Sequence, residues 1–147
     1  MAKRAILHAT DFSTASRPAF MKAVELARAS RSPLVVLHVL NPMMPMIGGR
    51  TIEPPTYLAL QQATRAAALK QLARLSARAS ARGVLATSIL AEGSEAGAIV
   101  RVARARRAAM IVIGTHGRSG IERVLLGSVA TRVVSQATCP VLTVRGR

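Results

Sequence analysis

Acidic side chains, cysteine and aromatic rings are all scarce in this chain. Its 147 residues hold 6 Asp+Glu against 21 Lys+Arg, with 1 Cys, 2 Phe, 1 Tyr and no Trp. The lone cysteine, Cys139, excludes an intrachain disulfide framework and a cysteine-built zinc site, and fits a reducing cytoplasm. Phe12, Phe20 and Tyr57 are too few to build a stacking platform for single-stranded bases. A spanning helix needs about 20 mostly apolar residues. The longest stretch without a formal charge, 32–49, is broken by Pro33, Pro42 and Pro45, so no membrane span is expected. The opening Met-Ala-Lys-Arg, with His8 and Asp11 close behind, does not read as a signal peptide.

What is present is a greasy, basic chain. Half of it is hydrophobic and its mean hydropathy is +0.32, which excludes intrinsic disorder and fits one domain over 1–147. The formal net charge of +15 raises the question of a polyanionic partner. No helix-turn-helix or zinc-finger pattern supports sequence readout, so charge alone assigns nothing.

Short β-branched runs alternate with helical windows. Strands are expected at 5–9, 34–40, 84–91, 110–114 and 140–144, and helices at 14–30, 56–82, 94–107 and 128–136. Leu34 to Leu40 (LVVLHVL) reads as a strand buried on both faces, whereas 84–91 is less apolar and belongs nearer an edge. The stretch 41–55, rich in proline and glycine, reads as an irregular loop. Ser13 and Pro18 mark the start of the first helix, and Gly83 the end of the long one, whose buried face is read as Leu69, Leu72, Ala73, Ser76 and Ala79. Strands separated by helices imply parallel pairing with right-handed crossovers, hence a doubly wound α/β domain with helices on both sheet faces. In such domains ligands bind beyond the carboxyl ends of the strands, where the strand order reverses.

The chemistry concentrates in the segment from Gly114 to Ser128, which runs from the end of a buried strand to the start of a helix. Glycine permits positive φ and close backbone approach, successive N–H groups can surround an anion, and a helix start adds a positive dipole end. The segment therefore reads as a phosphate cradle, with a simple glycine-rich turn as the plainer alternative. It is no P-loop, since G-x-x-x-x-G-K-[ST] is absent, and no dinucleotide fingerprint, since its glycines follow the fourth strand rather than the first.

The spacing G-x2-G-x9-G-S, filled by Gly114, Gly117, Gly127 and Ser128, resembles the ATP-binding signature of the universal stress protein family. Five segments resemble that family in the same order: Ile6 to Ser13 with its Thr-Asp-Phe-Ser turn, Leu37-His38-Val39, Gly114-Thr115-His116-Gly117-Arg118, Leu126-Gly127-Ser128-Val129, and Cys139 to Val144. The likeness implies a five-stranded parallel sheet of order 3-2-1-4-5 that binds ATP, or AMP or ADP, with Mg²⁺ or Mn²⁺ carried by the nucleotide. It implies that Ala9 and Val39 flank the adenine and Asp11 holds the ribose. Gly114, Gly117, Arg118, Ser119, Gly127, Ser128 and Val129 would hold the phosphates. Ala9 departs from a frequent proline, which loosens the adenine floor. A homodimer through the last strand, at Val141, Leu142 and Val144, is implied as well, and edge-strand pairing suits it.

Other residues have plainer roles beside functional ones. Asp11 can also start the first helix with Ser13. His116 and Glu122 sit within the glycine segment, but neither is placed as a catalytic base, so slow ATP hydrolysis lacks an identifiable one. His8 and His38 read as core or rim histidines rather than metal ligands, and no Asp/Glu/His cluster suggests a protein-built metal site. Met43, Met44 and Met46 read as a flexible apolar loop, and Cys139 as inert. Lys70, Arg74, Arg78 and Arg82 recur every four residues with no acid among them, a stripe read chiefly as a solvated face. The function this composes is a cytoplasmic, ATP-binding stress-response protein whose ligand is a sensor or regulator. The alternatives are a basic nucleic-acid or anionic-surface binder and a slow ATPase.

Overall fold

A parallel sheet forms because five apolar segments each return to it through a helix. In the computed structural model, which describes residues 2–42, 46–47, 49–51, 53–115 and 126–146, they are β1 (Ile6–Ala9), β2 (Leu34–Leu40), β5 (Ala86–Glu92), β6 (Met110–Gly114) and β7 (Val141–Val144). Helices α1 (Arg17–Ser30), α2 (Pro54–Ser80), α3 (Glu95–Ala105) and α4 (Ser128–Gln136) link them. The order in the sheet is β5-β2-β1-β6-β7, all pairs parallel, which is the expected 3-2-1-4-5. The less apolar third strand of the sheet, β5, does lie at an edge, and β7 forms the other.

Alternation along the central strands divides the interior into two layers. Leu7, Ala9, Val35, Leu37, Ile111 and Ile113 face one core, shared with Ala98 and Ile99 of α3 and Ala130 and Val133 of α4. Ile6, Leu34, Val36 and Val112 face the other, shared with Phe20 and Val24 of α1 and Leu72 of α2. β2 is buried on both faces from Leu34 to Val39, as its unbroken apolar run requires.

Three local readings need correction. The segment 41–55 is not wholly irregular: β3 (Met46–Ile47) and β4 (Arg50–Thr51) pair antiparallel, with Gly49 in the turn at φ +77°. Two-residue strands are too short to show alternation, and a glycine at positive φ is what a tight connection needs. α2 starts at Pro54 rather than Thr56, because proline in a first turn gives up an amide that has no helical partner anyway. Its inward face is Ala68, Leu72, Leu75 and Ala79 with the Ser76 hydroxyl buried beside them, so Leu72, Ser76 and Ala79 hold as read, while Leu69 is 48% exposed and Ala73 is exposed. In so alanine-rich a helix several faces look apolar, and packing selects among them. Helix α1 is likewise preceded by a 3-10 turn at Thr14–Ser16, whose cap is Ser13, the side chain accepting from the Ser16 N–H. Among the described residues no helix is long and apolar enough to cross a membrane.

Candidate functional site

The carboxyl ends of β1, β2 and β6 open into one cleft of about 500 Å³, at the point where the strand order reverses: the chain builds outward from β1 through β2 to β5, then crosses back through α3 to β6 on the other side of β1. Ala9 and Val39 line it at the ends of β1 and β2, Asp11 just beyond β1, and Gly114 at the end of β6. Gly127, Ser128 and Val129 line it at the start of α4. The fold thus brings together every site residue named from the sequence that lies within the described residues. Gly117, Arg118 and Ser119 lie outside them, as do His116, Glu122, Met43 and Met44.

The walls differ in chemistry around the cleft. Leu37, Val39, Ile99 and Ile113 supply an apolar floor, while Thr10, Asp11, Glu95 and Ser128 are polar. At the start of α4 the Gly127 carbonyl accepts from the Thr131 N–H at 2.9 Å, the first bond of the helix. The amides of Ser128, Val129 and Ala130 precede that bond, so no helix carbonyl takes them and the positive dipole end faces the cleft. The Gly127 amide itself is spent internally, donating to the Thr115 carbonyl at 2.5 Å, while the Thr115 amide donates to Val144. Gly127 has φ −65° and ψ 161°, so it does not need glycine for a left-handed backbone. What it provides is the absence of a side chain, a correction to the conformational half of the sequence argument.

The turn after β1 is tightly knit. Asp11 Oδ1 accepts from the Ser13 amide at 2.9 Å and from its hydroxyl at 2.5 Å, while Ser13 Oγ accepts from the Ser16 amide. Asp11 therefore does organise the first helix start, and from the same position it lines the cleft. Phe12 follows at φ +64°, uncommon for a bulky residue. Its ring stacks on His38 with centroids 4.2 Å apart, and its amide donates to Thr10 Oγ1. His38 Nδ1 donates to the Thr10 carbonyl at 2.7 Å, tying β2 to the turn.

His8 is fully buried behind the cleft. Nδ1 faces the Val112 carbonyl at 3.0 Å and so carries the ring proton, leaving Nε2 as a bare acceptor without a partner among the described residues. Burial lowers its pKa to about 4, outweighing that hydrogen bond and the charge of Asp11. His8 is thus a neutral core residue, only half satisfied. Burial also raises the pKa of Cys139, which disfavours the reactive thiolate. No group of three His, Cys, Asp or Glu side chains gathers as a metal site among the described residues.

Sequence reasoning missed Thr64, Glu95 and Asn41, which also line the cleft. Asn41 directly follows the carboxyl end of β2 and Glu95 comes three residues after that of β5, so the rule that ligands gather beyond strand ends was signal enough for both. Thr64 arrives only through the packing of α2, and nothing local marks it.

A match to the universal stress protein family runs over residues 3–145. Universal stress protein YxiE of Bacillus subtilis is 33% identical over 144 residues, covering 95% of this chain and 97% of that one. A universal stress protein solved in complex with cAMP is 25% identical with TM-score 0.69, each chain covered in full at 100%. One from Archaeoglobus fulgidus, solved in complex with dAMP, is 26% identical with TM-score 0.69, covering 99% of this chain and 100% of that one.

Proposed function

The chain belongs to the universal stress protein family, and from that membership we propose that it holds an adenine nucleotide, ATP foremost with ADP and AMP as alternatives, as a sensor or regulatory ligand. The observation that carries this is the convergence of Ala9, Asp11, Val39, Gly114, Gly127, Ser128 and Val129 on one cleft. Its volume of about 500 Å³ lies within the ordinary range for small-molecule sites. The apolar floor between Ala9 and Val39 takes the base, the Asp11 carboxylate accepts from ribose hydroxyls, and the phosphates sit against the first turn of α4. Gly117, Arg118 and Ser119 complete the phosphate side. That relatives were solved with cAMP and dAMP supports adenine as the base.

Asp11 and Glu95 make the described part of the cleft acidic, so a polyphosphate gains from Mg²⁺ or Mn²⁺ carried in with it. The nucleotide is read as a retained regulator, with slow hydrolysis as the alternative, and no side chain is assigned as a hydrolytic base. The protein acts in the cytoplasm as a homodimer joined along β7.

Denaturing the purified protein by heat and identifying what is released tests the reading. An adenine nucleotide in near-stoichiometric amount is expected. Gly127→Val, which places a branched side chain where α4 meets the cleft, is expected to fold and to release none. Nucleotide retained by a folded Gly127→Val protein would overturn the phosphate placement.

A further inference from the structure

A second cavity lies behind the turn that carries Asp11. About 260 Å³ in volume, it is open to solvent between the start of α1 and the C-terminal half of α2, with Arg17, Gln71, Arg74 and Arg78 exposed along it. Thr10 and Ser16 line both this cavity and the main cleft. The stacked pair of Phe12 and His38 stands between them, Phe12 lining the rear cavity and His38 the cleft.

Its walls are chemically one-sided. Arg17 enters from α1, Arg74 and Arg78 enter from α2, and among the described residues no Asp or Glu lines it. The basic stripe of α2 is thus not simply a solvated face: the Arg78 guanidinium lies 5.5 Å from the centroid of the Phe20 ring on α1. Among the described residues the ion pairs are Lys22–Glu25 and Arg65–Glu92, so none of these three arginines has a carboxylate partner there. The nearby hydroxyls are already committed, Ser13 Oγ donating to Asp11 Oδ1 and Ser16 Oγ to the Ser13 carbonyl. What the cavity offers is guanidinium N–H groups, which accept nothing, and the Gln71 amide.

Three like charges lining one groove repel one another, though solvent screens them, and an anion seated among them relieves that repulsion. A monocarboxylate neutralises one of the three, whereas a phosphoryl group carries more charge and three oxygens for the forked N–H geometry of arginine. The small volume selects a compact ligand rather than a nucleotide. We infer that this rear cavity is a binding site for a compact phosphorylated small molecule, distinct from the nucleotide cleft and sharing with it the turn from Thr10 to Ser16.

The test is a titration of the isotopically labelled full chain, as Gly127→Val to block the cleft, with inorganic pyrophosphate at physiological ionic strength. Saturable amide shifts are expected at Ser13, Ser16, Gln71 and Arg74. Arg74→Gln and Arg78→Gln should each weaken binding about tenfold, one charged hydrogen bond's worth. Lys70→Gln, on the same stripe but not lining the cavity, should change nothing. Arg74 makes no hydrogen bond or ion pair among the described residues, so its variant keeps the fold even if loss of the Arg78–Phe20 contact does not. Three results would overturn the assignment: no saturable shift, equal weakening by Lys70→Gln, or binding of an oligonucleotide but not pyrophosphate. Because the shifts are read residue by residue, such a failure leaves the nucleotide reading untouched.

Discussion

At the scale of single residues, His8 links the core to pH. Its imidazole titrates near 6.5 in the unfolded chain and near 4 when buried, because the interior disfavours the charged ring. The unfolded state then binds more protons between those values, so stability is complete above pH 6.5 and falls as pH drops towards 4, where it levels off. The span corresponds to roughly 3 kcal/mol. His8→Leu removes the titrating group, so urea midpoints of wild type and variant should diverge in wild type's favour as pH rises from 4 to 6.5. Parallel pH profiles would show that the buried ring does not behave as its environment dictates. Asp11 shows at the same scale how one side chain serves two purposes: fastening a helix start leaves it in place on the wall of the cleft.

At the scale of elements, the register of α2 is the sharpest question. Leu72 is 1% exposed and Leu69 is 48% exposed. Leu72→Ala should cost about 2–5 kcal/mol by opening a cavity beneath the sheet, and Leu69→Ala no more than about 0.5 kcal/mol. Chemical denaturation of both variants checks it, and comparable losses would return the helix to the face read from its sequence. The contrast with β2 explains what was legible. Six apolar residues in seven, with β-branched members, admit one reading, whereas an alanine-rich helix presents small side chains all round and leaves the choice to its neighbours. The β3–β4 ribbon was hidden for a different reason, since its pairing resides in the turn rather than in any periodicity. Much of the cleft was legible, because strand ends and the glycine segment converge by topology. Thr64 was not, since a position ten residues into a helix becomes a wall only after the helix has docked.

At the scale of the whole molecule, β7 is the open question because it ends the sheet. The Pro140 and Val144 carbonyls accept from Ile111 and Thr115 on the β6 side. Alternation along a strand then turns the backbone groups of Val141 and Thr143 away from the sheet, which is where a second copy would pair. Thr143→Pro deletes one outward N–H while sparing the ladder to β6. Sedimentation should show wild type as a dimer and this variant as a folded monomer, and an unchanged dimer would locate the contact elsewhere. The central place of β1 has a different consequence, in time rather than space. His8 and Val112, hydrogen-bonded across the sheet, are 104 positions apart in the chain. During synthesis the first strand to emerge must wait for most of the polypeptide before its second neighbour exists, with one apolar flank uncovered meanwhile. Pairings so distant are slow to close, so assembly of the domain is gated by its final third.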